Sequence, residues 1–209
     1  MARKRNASPR IELLRPHAGD PNTVDIRAGG RTLATLPRTR AEELGVREGA
    51  AWTPALARRV DRSAAESLAR EAALAHLAKR SWSAAGLAAR LVRGGHDEDA
   101  AAAAVAAMVA DGWLDDRAYA QERVAHHRRT GSFPADALAA LLARDGIGER
   151  DAERAARAGA ASAKELRAEV RAAHRAGASA RTVAGRLTRR GFDADTIRDA
   201  LEAAGYELD

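Results

Sequence analysis

The chain has 209 residues, with 35 Lys/Arg against 29 Asp/Glu, no cysteine, and aromatic side chains at only 3%. The lack of cysteine excludes disulfides and thiolate metal sites and fits a reducing cytoplasm, where the protein is expected to reside. No apolar run approaches a membrane span, and the basic start Met1 to Asn6 lacks the apolar segment of a secretory signal, so neither membrane nor export is expected.

The charge is uneven along the chain. Residues 1–62 carry 13 Lys/Arg and 7 Asp/Glu, whereas residues 63–209 carry 22 of each. The basic excess therefore lies wholly in the N-terminal part. An acidic partner such as nucleic acid is one reading; a solubilising surface in an Arg- and Ala-rich composition is the other.

Residues 1–9 are polar and basic and predict a disordered tail. Residues 10–62 predict a small β-rich module. A short strand over 11–14 is followed by a Pro- and Gly-containing turn over 16–22, then by the alternation Val24-Asp25-Ile26-Arg27. Gly29-Gly30 supplies the positive φ of a tight hairpin, and residues 31–36 return. Thr39-Arg40-Ala41-Glu42 has the spacing of a capping box, and Thr53-Pro54 starts another helix.

From residue 63 the sequence repeats, and abundant Ala with few aromatics favours closely packed helices there. Starts at Ser83, Pro134 and Ser179 are each followed by apolar residues four and eight positions on, and by a stopping glycine twelve positions on. The apolar pairs are Leu87/Leu91, Leu138/Leu142 and Val183/Leu187; the stops are Gly95, Gly146 and Gly191. Longer helices over 64–80, 116–129 and 162–175 precede these, and a third helix follows each. The fold class is thus mainly α: tandem three-helix repeats over 63–114, 115–160 and 161–209, forming an elongated curved rod behind the β-rich module.

Charge follows the same register. Arg93, Arg144 and Arg189 occupy one position in the three repeats, with Arg90 and Arg186 beside two of them and Arg190 adjacent. They flank the apolar stripe and predict a basic column. Lys79, Arg80, Arg128, Arg129 and Arg175 are further basic candidates. The third helices are acid-rich near their starts, at Asp97, Glu98, Asp99, Asp193 and Asp195, which the helix dipole explains without a functional role.

Between the first two repeats lies Gly112-Trp113-Leu114-Asp115-Asp116-Arg117-Ala118-Tyr119-Ala120. It reads as a hinge: Gly112 ends one helix, Trp113 and Leu114 plug the gap between repeats, and Asp115 or Asp116 caps the next helix, where Tyr119 packs. The Asp pair has no His or Lys signature beside it and is expected to be structural. His126-His127 diverge by about 100° on a helix and do not converge on a metal. No phosphate-binding Gly loop of the P-loop type is present. Neither catalytic residues nor a cofactor or metal site is expected.

The 112–120 stretch, residues 138–147 and the line Leu187-Thr188-Arg189-Arg190-Gly191-Phe192-Asp193 together resemble the RecX family of recombinase regulators. The resemblance covers about residues 65–209 and, more loosely, the β-rich start. Trp113 stands where that family often has Tyr, Tyr119 and His96 where Phe is common, and Asp145 where a basic residue is usual. What the resemblance implies is a non-enzymatic, monomeric protein that binds the RecA filament on single-stranded DNA, with double-stranded DNA as a further candidate, and suppresses ATP hydrolysis and strand exchange. The alternatives are a stand-alone DNA-binding helical protein, helix-turn-helix-like or sequence-independent, and a helical adaptor for another partner. A helix-turn-helix reader requires a recognition helix and usually a dimer seam, and the Ala- and Leu-rich second helices show neither.

Overall fold

The computed structural model describes residues 9–18 and 20–207, so the tail expected over 1–9 lies outside the described residues except for Pro9. Among the described residues the order is three strands and ten helices. Two compact units form. One runs through Lys79 and includes Ala88–Asp111; the other combines Arg80–Leu87 with Gly112 onward.

The first unit opens with an antiparallel sheet of order β1-β2-β3, from Ile11–His17, Asp20–Ala28 and Arg31–Pro37. Central strand β2 buries Val24, Ile26 and Ala28 in alternation, as its period-two pattern dictates. Gly29 and Gly30, at φ +59° and +74°, form the hairpin turn, and their N–H groups donate to the Glu12 carboxylate at 2.9 and 3.1 Å. The turn expected over 16–22 is tighter than the sequence suggested. Strand β1 reaches His17 because Pro16 sits on an edge strand, where its missing N–H costs little.

Helix α1 (Arg38–Glu43) corrects the expected capping box. Extended Pro37 is the N-cap, and Thr39 lies inside the first turn with no capping bond. Helix α2 (Pro54–Leu77) is capped by Thr53, whose hydroxyl accepts from the Leu56 N–H at 3.2 Å. It is one continuous helix of 24 residues, so the boundary expected at 62/63 falls inside it. No Gly or Pro interrupts the stretch after Pro54, and Ala, Arg, Leu and Glu all favour continuation. Val60 joins Ile11, Ile26 and Leu36 in the sheet's core, and Ser63, buried, accepts from Arg40 Nε at 2.9 Å. Farther along, α2 packs on α4 (Glu98–Ala110) through buried Ala69, Ala73, Ala100, Ala101 and Ala104.

The repeated pattern is present in the helices. The second helices α3 (Ala84–Arg93), α6 (Ala135–Arg144) and α9 (Ala180–Arg189) have equal length, and all six apolar pair residues are buried. Each ends on the same cap. Gly95, Gly146 and Gly191 take φ +93°, +84° and +92°. The next N–H, of His96, Ile147 or Phe192, donates back to Leu91, Leu142 or Leu187 at 3.1–3.2 Å. Around α6, helices α5 (Asp116–Arg128) and α7 (Glu149–Gly159) close a core of Ala120, Val124, Leu138, Leu142, Ile147, Ala152 and Ala156. Around α9, α8 (Ala163–Arg175) and α10 (Ala194–Glu202) close another, with Leu166, Val170, Phe192, Ile197 and Leu201.

Within the second unit the repeats dock alike. The α3 N-terminus seats on the α6–α7 corner, where a Cβ on Gly146 would meet Ala85 Cβ at 2.7 Å. The α6 N-terminus seats on the α9–α10 corner, where a Cβ on Gly191 would meet Ala137 Cβ at 2.9 Å. The glycines thus serve twice, as helix stops and as room for the neighbouring helix. No helix among the described residues is long and apolar enough to cross a membrane.

Candidate partner-binding surface

The arginines of the expected column lie in the last turns of α3, α6 and α9: Arg90 and Arg93, Arg144, and Arg186 and Arg189. A cation there meets the negative end of the helix dipole and is favoured by about 0.3–1 kcal/mol each. Arg90, Arg93, Arg144 and Arg189 are exposed. Among the described residues, their side chains make no hydrogen bond or ion pair.

Two members leave the column. Arg190, one residue past α9, is turned inward and its side chain is only 17% exposed. It pairs with Glu169 at 2.6 Å, donates to the Thr130 carbonyl at 2.6 Å and lies over the Phe133 ring at 5.4 Å. Arg186 is half-buried and approaches the same Glu169 at 3.7 Å. Both serve the junction of the second and third repeats. Burial opposes ionisation of Glu169, yet the Ser132 N–H at 2.8 Å and the Arg190 guanidinium hold its carboxyl below the usual range.

The other basic candidates divide similarly. Arg80 stacks on the Trp82 ring at 3.5 Å, Arg128 pairs with Glu165 at 2.6 Å, and Arg129 bonds His126 Nδ1 at 3.2 Å. Lys79 and Arg175 are exposed without such partners among the described residues.

The hinge stretch departs from expectation at Trp113. Gly112 stops α4 at φ +77°, and Leu114 is buried at 5% exposure, but Trp113 is 62% exposed. Of the two residues expected to plug the gap, only Leu114 is buried; Trp113 stands at the surface. Asp115 caps α5, accepting from the Arg117 and Ala118 N–H groups at 2.9 Å each. Asp116 turns away and accepts from the Ala84 N–H at 2.7 Å, capping α3. Ser83 completes that cap by accepting from the Gly86 N–H at 3.0 Å while donating to the Asp145 carbonyl. Both carboxylates are occupied by backbone amides, as a structural role requires.

Tyr119 packs on the second repeat's core, and its hydroxyl lies 3.3 Å from Asp145 Oδ2, which also accepts from Arg123 Nε at 2.8 Å. Burial, then the Asp145 charge, raises the Tyr119 pKa. Asp145 is therefore the hub of this junction, a role that sequence reading missed. The carboxylate just before a stopping glycine was the signal, because it stands where a helix C-terminus favours a cation. His127 packs edge-on to Phe133 at 5.5 Å, with Nε2 buried and unbonded; burial, then Arg123 and His126, lowers its pKa. Among the described residues, no group of three or more His, Asp or Glu is placed to hold a metal.

The architecture defines a class: tandem three-helix repeats behind a small antiparallel sheet, with inter-repeat joints made by helix caps. The fold is RecX-like. A crystal structure of the regulatory protein RecX superposes with a TM-score of 0.67 at 14% identity, covering 95% of this chain and 95% of that one. RecX from Lactobacillus salivarius superposes with a TM-score of 0.55 at 19% identity, covering 67% of this chain and 96% of that one. No protein-family model and no curated protein matches the sequence.

Proposed function

We propose that this protein is a non-enzymatic regulator of the RecA recombinase. It binds, as a cytoplasmic monomer without metal or cofactor, the filament that RecA forms on single-stranded DNA, and it suppresses ATP hydrolysis and strand exchange. The observation that carries the reading is the likeness in fold to RecX over nearly the full length of both chains. The exposed, unpaired Arg90, Arg93, Arg144 and Arg189 support it, since free guanidinium groups engage carboxylates and phosphates bidentately, and a nucleoprotein filament carries both.

The test is RecA ATPase on single-stranded DNA, titrated with the purified protein. Dose-dependent suppression is expected. The basic excess in the N-terminal part favours a second reading, a DNA-binding protein acting alone. An unchanged RecA ATPase together with saturable binding to naked DNA would replace the first reading by the second.

A further inference from the structure

A groove of about 420 Å³ runs between α5 and α7, and none of Arg90, Arg93, Arg144 and Arg189 lines it. Its apolar lining is Val124 and Ala125 from α5, and Ala155 and Ala158 from α7. This floor exists because the facing side chains are short. Gly159 brings the last turn of α7 against Val124, where an added Cβ would collide with Val124 Cγ1. The rim is basic, with Arg117, Arg128 and Arg154 against one carboxylate, Asp151.

The rim cations are available. Arg117 makes no side-chain bond or ion pair among the described residues, although it belongs to the hinge stretch whose other polar members cap helices. Arg154 pairs with Asp151 on its own helix, and Arg128 with Glu165, all on exposed side chains. Exposed pairs of this kind contribute about 0–1 kcal/mol, so a ligand carboxylate displaces them readily.

We propose that this groove docks an acidic peptide segment of a partner protein, with an apolar side chain of the segment seated on the floor and its carboxylates on Arg117, Arg128 and Arg154. Charge complementarity selects the acid. The floor selects peptide over nucleic acid, because no aromatic ring lines the groove for a base to stack on. A bare phosphate chain leaves the apolar floor uncovered. The volume lies within the roughly 300–1,000 Å³ of small-ligand sites, enough to hold an anchoring side chain with its flanks. This surface shares no residue with the arginines of the expected column, so the inference stands apart from the proposed function.

The test uses the full chain and fluorescence anisotropy of labelled peptides. One peptide alternates Asp and Glu around a central Leu-Leu; its control carries Ser-Ser at the centre. Saturable binding of the Leu peptide is expected, with at least about tenfold weaker binding of the control. The double variant Arg117→Glu/Arg154→Glu should weaken the Leu peptide by at least about tenfold. Ala158→Leu, at an exposed position that fills the groove, should do the same with an unchanged circular-dichroism melt, which guards against a folding defect in the double variant. The triple change of Arg93, Arg144 and Arg189 to Ala should bind the peptide like wild type. No binding of the Leu peptide, equal binding of the Ser control, displacement by oligothymidine at matched charge, or wild-type binding by both groove variants would each overturn the proposal.

Discussion

Asp116 Oδ1 accepts the Ala84 N–H at 2.7 Å, so the N-terminus of α3 is capped by a residue that lies 32 positions farther along the chain. Its neighbour Asp115 caps α5 in the ordinary local way. Two adjacent carboxylates thus fix two different helices to one corner. Asp115→Ala and Asp116→Ala should each cost about 0.5–2 kcal/mol, as N-cap losses do. Urea midpoints of the two variants are the measurement. An effect confined to Asp115 would show that the long-range cap carries no stability.

Trp113 and Leu114 are adjacent, yet their truncations should differ sharply. With Trp113 62% exposed, Trp113→Ala should change stability by no more than about 0.5 kcal/mol. Leu114, at 5% exposure, should cost about 2–5 kcal/mol on truncation to Ala. Differential scanning calorimetry of both variants decides it; a large loss for Trp113→Ala would mean that the indole packs in solution.

Glu169 ties the second repeat to the third through the Ser132 N–H and Arg190. Removing Arg190 leaves a carboxylate at 23% side-chain exposure with only the more distant Arg186, at 3.7 Å, as a cation, so Arg190→Ala should destabilise by about 1–3 kcal/mol. The pH dependence follows from the sign of the shift. The folded-state pKa of Glu169 lies below its ordinary 4.5, so its contribution is complete above that value and lost as the pH falls through the lowered folded pKa. Glu169→Gln should be less stable at neutral pH, and the gap to wild type should narrow on acidification below about 4.5. A gap that stays constant to acid would exclude ionised Glu169 as the source.

His127 should give a second, higher transition. Its folded-state pKa is lowered from 6.5, chiefly by burial. Its stabilising contribution is therefore complete above the unfolded value and lost as the pH drops through 6.5 toward the folded value. His127→Phe should lose that acid-side component while keeping the ring against Phe133. Guanidinium unfolding at pH values bracketing 6.5 reads it; an identical slope in variant and wild type would assign the titration to another histidine.

What could be read from the sequence was local and periodic. Leu138, Leu142 and Gly146 share one helix and its stop, so spacing alone gave their burial and cap. What could not be read depends on distant partners. Nothing near Asp116 points to Ala84, and nothing near Arg190 points to Glu169; Arg190 adjoins exposed Arg189, yet one residue of helical rotation turns it inward. Trp113 shows that size alone does not imply burial: the larger ring is 62% exposed while its neighbour Leu114 is buried. The division at 62/63 rested on a change in composition, to which an uninterrupted helix is indifferent. Of the basic column, the register was legible, but which members remained free to bind was not.

The arginines of the expected column carry the functional prediction. Arg93, Arg144 and Arg189 are exposed in the last turns of three second helices and bind nothing among the described residues. Changing all three to Ala removes a favourable dipole interaction of about 0.3–1 kcal/mol at each site, offset in part by alanine's helix propensity. The melt should therefore shift little. If each arginine makes one exposed pair with the filament, worth about 0.5–1 kcal/mol, the three together supply about 1.5–3 kcal/mol. The concentration for half-suppression of RecA ATPase should rise about ten- to hundredfold, and what remains should depend less on salt. The matched control is Arg157→Ala/Arg198→Ala, whose side chains already pair with Glu153 and Asp195 on their own helices. Those changes should leave suppression intact. A triple variant that suppresses like wild type beside a control that does not would place the filament-binding face on the third helices instead.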